Sequence, residues 1–234
     1  MSWIVRALRS SIGSKTIMAV TGLMLFGFVI GHLVGNLLVF AGPEALNTYA
    51  QGLQDLGPGL WVVRLGLLTI VIVHLAVAAR LVASNRSARP TPYSYQATVQ
   101  ASFASRSMIL TGITIAAFVV FHLAHFTWHT FQKDSDQYVG QFTLDDGREV
   151  NDVYAMVIDG LQNPALCALY LVALVTLFVH LRHGLSSFFQ TLGLHHPRYV
   201  KFTKMCGPLV ATLILIGYLA IPLSILFHIV GHEA

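Results

Sequence analysis

The sequence predicts an all-α membrane protein with five transmembrane helices, its N-terminus cytoplasmic and its C-terminus outside. Three observations carry that prediction. Charge is scarce: 10% of the 234 residues are charged and 55% are hydrophobic, where a soluble domain has about 25% charged residues. Five apolar stretches reach the roughly 20 residues needed to cross a hydrocarbon layer. The charges that remain are sorted by sign between alternate connections. Fourteen Lys+Arg and ten Asp+Glu cannot coat a water-soluble protein of this size. This excludes an ordinary cytosolic enzyme, a disordered chain and a nucleic-acid binder, despite a pI near 9.2.

Trp3, Arg6, Leu8 and Arg9 read as an interfacial amphipathic turn, not as a cleavable signal. The first span covers about 17–40. The second covers 61–83, with Arg64 and Arg80 near its two ends. The third covers 107–131 and the fourth 164–189, with Arg182 near the end of the fourth. The fifth covers 208–230, where Pro222 is expected to kink it. Residues 1–234 form one integral membrane domain. In the 132–163 connection, Leu144-Asp145-Asp146-Gly147-Arg148 reads as a turn. Val150 to Leu161 has helical apolar spacing, so this stretch is expected to form a small outer cap and not a separate domain.

Arg6, Arg9 and Lys15 precede the first span. Arg80, Arg86, Arg89 and Arg106 bracket the second connection, and Arg182, Arg198, Lys201 and Lys204 bracket the fourth. Eleven of fourteen basic residues therefore share one side, which the positive-inside rule makes cytoplasmic. All ten acids fall on the other side: Glu44, Asp55, seven in the cap loop, and Glu233.

A repeat of two-helix units is visible at an offset of 90 residues. Thr21-Gly22, Phe28-Val29 and His32-Leu33 match Thr111-Gly112, Phe118-Val119 and His122-Leu123 over thirteen positions. Val73-His74-Leu75 in the second span echoes Val179-His180-Leu181 in the fourth. Four of eleven histidines are picked out in this way. At 1.5 Å per residue, His32 lies roughly 25 Å beyond Lys15 and His122 roughly 24 Å beyond Arg106. His74 and His180 lie roughly 9–14 Å from the cytoplasmic end. One pair is therefore in the outer half and one in the inner half.

An ionisable residue inside a span is costly and marks a functional candidate. Two facing neutral imidazoles at one depth suit a six-coordinate haem iron, each remaining N–H being held by a helix carbonyl or a hydroxyl. The alternative for any one of them is a histidine bonded to a neighbouring helix. Gly27, Gly31 and Gly35 would leave a flat face beside His32 for a ring or a helix. No Cys-x-x-Cys-His occurs, so such a haem would not be covalently attached. Cys167 and Cys206 offer neither a disulfide framework nor a metal spacing.

His122, His125 and His129 share one helix face, as do His180 and His183, which invites a histidine-box di-iron reading. Against it, the two boxes would sit at opposite ends of the membrane. His129 and His183 are placed near the interfaces, where either could touch a haem propionate. His195, His196 and His232 are expected to be solvated, and His228 interfacial.

The chain resembles the single-chain, five-helix, di-haem cytochrome b subunit of succinate:quinone oxidoreductases, the menaquinone-type succinate dehydrogenases and fumarate reductases. The resemblance rests on Gly31-His32-Leu33-Val34-Gly35-Asn36, Glu44-Ala45-Leu46-Asn47, Thr111-Gly112 through His122, and His180-Leu181 with Gly184-Leu185 and Ser187-Phe188. It implies that two b haems are held in the first four helices. His74 and His180 would hold the inner haem, and His32 and His122 the outer haem. It further implies a flavoprotein and an iron–sulfur subunit on the cytoplasmic side. Menaquinone would be the membrane partner, and the whole would sit in the inner membrane of a prokaryote, where a higher oligomer of the complex is compatible with it.

This subunit alone would carry no succinate chemistry, and no metal site besides the haem irons is expected. Asp55, Glu44 and Arg64 are the quinone-site candidates, Asp55 being favoured. Arg86, Arg89, Arg182, Arg198 and Lys201 are docking or propionate candidates, joined by Arg106, although positive-inside bias alone accounts for most of them. The 132–163 loop is longer than the family pattern and His125, His129 and His183 are extra, but the Thr-Gly spacing favours His122 as ligand. The alternatives are a cytochrome b subunit of another quinone-linked dehydrogenase, such as a formate dehydrogenase or hydrogenase, a histidine-box membrane hydroxylase, or a metal transporter.

Overall fold

Ser10 opens the first helix by accepting a hydrogen bond from Gly13 N at 3.0 Å, an N-cap that satisfies one of its free donors. In the computed structural model, residues 10–88, 91, 101–131, 135–194, 196–198 and 200–231 are described. The turn expected around Trp3 to Arg9 lies outside these residues, as do Arg89, His195, His232 and Glu233. Helix α1 spans Ser11–Asn36 and tightens into a 3-10 turn, Leu37–Ala41. Gly42 then reverses the chain at φ 92°, a backbone conformation that glycine adopts without strain. Pro43 starts α2 (Pro43–Gln54), and Pro58 starts α3 (Pro58–Ser87). Proline suits this first position because its missing N–H would have had no helical partner.

Ser102 caps a one-turn helix, α4 (Phe103–Arg106), which leads into α5 (Met108–Phe126). The cap follows, with strands β1 (Phe142–Thr143) and β2 (Glu149–Val150) and helix α6 (Val153–Gln162). Then come α7 (Pro164–Thr191) and α8 (Val200–Leu226).

Five helices are long and apolar enough to cross a membrane: α1 with its 3-10 turn, α3, α5, α7 and α8. The fold is thus nearly all helical, as the sequence predicts. Several boundaries differ, the first span starting at Ser11 and the second ending at Ser87. The third span ends at Phe126 and not at 131. Thr130 N turns back to Ala124 O at 2.9 Å, and His129 takes a left-handed φ of 53°. Trp128 and Phe131 keep the stretch apolar past this turn, so hydropathy does not register it. The fifth span starts eight residues earlier than expected, at Val200, and stops at Leu226. Its first turns carry Lys201 and Lys204, which a span predicted from apolarity leaves out. Pro222 lies inside α8 without ending it.

The packing is uneven. α3 buries no residue and makes extended contact with α1 alone. Its Trp61, Val62, Leu65, Leu68 and Ile72 are exposed, which suits hydrocarbon surroundings as apolar as the side chains themselves. The tightest helix pair is α7 with α8, and α8 also reaches α1. The core gathers at the cap end, where Leu33, Leu46, Ile158, Tyr170 and Ile225 meet.

The cap forms a hairpin whose turn falls within 144–148, and a helix that starts at Val153, Val150 belonging to β2. Phe142 pairs with Val150, and Gly147 turns the hairpin at φ 85°. Asp152 caps α6 through Ala155 N at 2.9 Å and accepts from Asn47 Nδ2 at 3.0 Å. Asn47 is fully buried, and its oxygen accepts from Tyr154 N at 2.9 Å. The cap helix is therefore pinned to α2, an element the sequence reading left as plain connection.

Candidate functional site

The four repeat-related histidines sit on the four helices α1, α3, α5 and α7. Each inner one is held by its sister helix in the same way. Thr21 Oγ1 lies 3.0 Å from His74 Nδ1, and Thr111 Oγ1 lies 3.1 Å from His180 Nδ1. Both hydroxyls already donate backward along their own helices. Thr21 donates to Ile17 O and Met18 O, and Thr111 to Ser107 O and Met108 O. A hydroxyl has one proton, so it must accept from the imidazole. That places the ring proton on Nδ1 and leaves the Nε2 lone pair free. The glycine after each threonine makes room for the ring. A Cβ on Gly22 would stand 3.4 Å from His74 Cε1, and one on Gly112 would stand 3.6 Å from His180 Cε1.

His32 and His122 meet directly. The rings of His32 and His122 are 5.8 Å apart, centre to centre, with planes at 86°. Backbone contact between α1 and α5 is marginal, so the two rings bridge the interval between these helices. Phe28 stacks on His32 at 5.3 Å. From α8, Tyr218 donates to Val29 O at 2.8 Å, and Leu33 packs onto Gly217. The fifth span thereby fixes the turn of α1 that carries His32, a role the sequence did not disclose. A Cβ on Gly27 or Gly31 would meet nothing within 4 Å, whereas one on Gly35 would strike the Tyr49 ring at 2.6 Å. Gly27 and Gly31 thus leave open space along the helix face, whereas Gly35 on the same face seats Tyr49 of α2.

His125 differs from His122. Its ring is fully buried, stacks on Phe126 at 4.1 Å, and bonds Tyr170 Oη through Nδ1 at 2.9 Å. Tyr170 also reaches His122 Nδ1 at 3.2 Å. No three His, Cys, Asp or Glu side chains converge on a common point among the described residues. His122 and His125 share Tyr170 and Phe126 as neighbours and differ in the others, His32 for the first and Phe131 for the second. His129 lies half-buried just beyond α5, and His228 is exposed at φ 55° after α8.

At the basic end, Arg182 lines a small cavity of about 140 Å³ with Ser102, Phe103, Ala104 and Val179. Arg106 closes α4 beside it, and His183 lies one turn beyond His180. At the cap end the quinone-site candidates separate. Glu44 accepts from Asp145 N at 3.1 Å. Asp55 accepts from Gln51 Nε2 at 2.7 Å and pairs with Arg148 at 3.3 Å. Both acids face the hairpin. Arg148 also binds Asp146 at 2.8 Å, which holds that carboxyl below the usual range and raises the guanidinium. These pairs are about half exposed and contribute little stability. Arg64 lies 5.2 Å over the Trp61 ring, in an open groove that Gln54 and Leu60 also line.

The residues fit haem of the b type. The donors are four imidazoles and no thiolate or carboxylate, and the inner two have their Nε2 atoms free. The His32 and His122 rings face each other at 5.8 Å.

Over 167 residues the chain is 26% identical to the succinate dehydrogenase cytochrome b558 subunit of Bacillus subtilis (strain 168), covering 71% of this chain and 72% of that protein. The chain is similar to a succinate dehydrogenase cytochrome b subunit. No protein-family profile matches it, and no solved structure does. With five helices of spanning length, this similarity supports a multi-pass membrane anchor of the cytochrome b kind.

Proposed function

We propose that this chain is the membrane-anchor cytochrome b subunit of a succinate:menaquinone oxidoreductase, a succinate dehydrogenase or fumarate reductase. The observation that carries the reading is the doubled histidine arrangement: a Thr-Gly pair on one helix of each repeat holds the inner histidine of the next, and the outer histidines face each other. His74 and His180 hold the inner haem, and His32 and His122 the outer one. When bound, the haems pass single electrons between the iron–sulfur subunit and the membrane quinone.

The chain's own residues bind and orient. Thr21 and Thr111 accept the Nδ1 protons of the inner ligands, which fixes each ring's tautomer and direction. Arg106 and Arg182 supply positive charge at the inner end for propionates, where His183 offers a ring N–H donor, as His129 does at the outer end. The basic connections with Arg86, Arg198 and Lys201 face the cytoplasm, where the flavoprotein and iron–sulfur subunits dock. The quinone lies towards the outer pair, with Arg64, Asp55 and Glu44 as the polar groups of that side. Trp61 beside Arg64 offers an apolar wall next to a cation, which suits a quinone ring and its carbonyl oxygen. This subunit alone does not turn over succinate, and its place is the cytoplasmic membrane of a prokaryote.

Purification in mild detergent tests the reading. The expected result is a complex with a flavoprotein and an iron–sulfur protein, holding close to two b haems per copy of this chain. Co-purification with a formate dehydrogenase or hydrogenase would move the chain to another quinone-linked enzyme. A reduced-minus-oxidised spectrum without a b-haem signal would refute both.

A further inference from the structure

Helix α5 carries His122, which faces His32, and His125 about one turn further on, and one hydroxyl lies between the two. Tyr170 Oη is 3.2 Å from His122 Nδ1 and 2.9 Å from His125 Nδ1. A phenol has one proton, so it donates to one of these nitrogens and accepts from the other. A neutral imidazole whose Nδ1 donates has a free lone pair on Nε2. One whose Nδ1 accepts carries its proton on Nε2 and cannot bind a metal there. With both bonds formed, the two rings therefore take opposite tautomers.

We infer, on the di-haem reading above, that Tyr170 is a positioning residue that selects the outer haem ligand. It accepts the Nδ1 proton of His122 and donates its own to Nδ1 of His125. His122 alone then presents a lone pair on Nε2, and His125 is barred from ligation by the proton it carries there.

The surroundings agree with this assignment. The His122 ring faces His32 at 5.8 Å. The His125 ring lies under the cap, where a Cβ on Gly160 would come within 3.1 Å of its Nε2. That Nε2 is buried without a hydrogen-bond partner. The close packing of that ring against α6, and not the missing partner, is what favours His122 over His125 as the ligand. The inner histidines need no selector, since each has its own threonine.

The test uses the purified complex as wild type, Tyr170→Phe, His125→Gln and the double variant. Haem is counted, and the low-spin electron paramagnetic resonance signal and midpoint potential of each haem are recorded. His125→Gln is expected to keep two haems, because glutamine can accept the phenol proton. Tyr170→Phe is expected to split or shift the outer signal and move its potential, with the inner haem unchanged. The double variant should return a single outer signal, because no competing imidazole remains. A tyrosine that only packs would give no such rescue. An unmoved outer haem in Tyr170→Phe, loss of that haem in His125→Gln, or a split that persists in the double variant would overturn the inference. A wild type with fewer than two b haems would overturn the di-haem reading and this inference with it. Two haems with an unmoved outer signal would overturn the inference alone.

Discussion

Thr21 and His74 are joined across helices α1 and α3 by a 3.0 Å hydrogen bond, and Thr111 and His180 repeat it across α5 and α7 at 3.1 Å. In both cases the hydroxyl donates to its own backbone and accepts from the ring. Losing such a support typically weakens metal binding about 10–100-fold. Thr21→Val and Thr111→Val should therefore loosen or shift the inner haem and spare the outer one. Haem retention through purification and separate potentials for the two haems check this. A Thr21→Val complex in which only the outer haem changed would contradict it.

The neighbouring glycines carry a graded prediction. A methyl group on Gly22 or Gly112 would make ordinary contact with the histidine ring, at 3.4 or 3.6 Å. Gly112→Ala should be tolerated, whereas Gly112→Leu should push His180 aside and lower the haem count from two towards one. Equal haem loss in both variants would show that the glycine serves something other than ring space.

The sequence showed the repeat that contains these threonines but not what it does. Thr21-Gly22 and Thr111-Gly112 stood out by spacing, thirteen positions from end to end, while the partner histidines lie 53 and 69 residues further along the chain. Periodicity along one helix cannot say which helix faces it. Tyr170 and Tyr218 were less legible still, since an aromatic in an apolar span reads as packing until its hydroxyl is seen to reach a partner. The five spans were legible because hydrocarbon length and apolarity are local properties. The end of α5 was not, because the turn at His129 is closed by backbone hydrogen bonds within an apolar run.

Asn47 should prove to be the pin of the cap. It is buried and joins α2 to Asp152 and to Tyr154 N. Asn47→Ala removes both bonds and leaves a buried donor unpaired, at a cost of about 1–3 kcal/mol. Protease cleavage within the 141–150 hairpin should accelerate in the variant while both haems stay bound. Unchanged cleavage would place the cap's anchorage elsewhere.

Tyr138 gives the cap an alkaline limit. It is buried and donates to Asp159 at 2.7 Å. Burial first, and then the Asp159 carboxylate, pushes its phenol from 10.0 up to about 12. In the unfolded cap the phenol ionises near its ordinary value of about 10. The stabilisation it contributes is therefore complete below pH 10 and is lost as pH rises towards 12. The ultraviolet phenolate difference between wild type and Tyr138→Phe should show one phenol titrating near 12. A difference spectrum centred at the ordinary tyrosine value would contradict the buried bond.

The pairing of histidines is the central claim, and haem counting in four single variants tests it most directly. The complex is purified with His32→Ala, His74→Ala, His122→Ala or His180→Ala, and each haem is identified by its potential and spectrum. The account predicts that His32→Ala and His122→Ala each lose the same haem and keep the other, and that His74→Ala and His180→Ala each lose that other one. Loss of one and the same haem from His32→Ala and His74→Ala would contradict it.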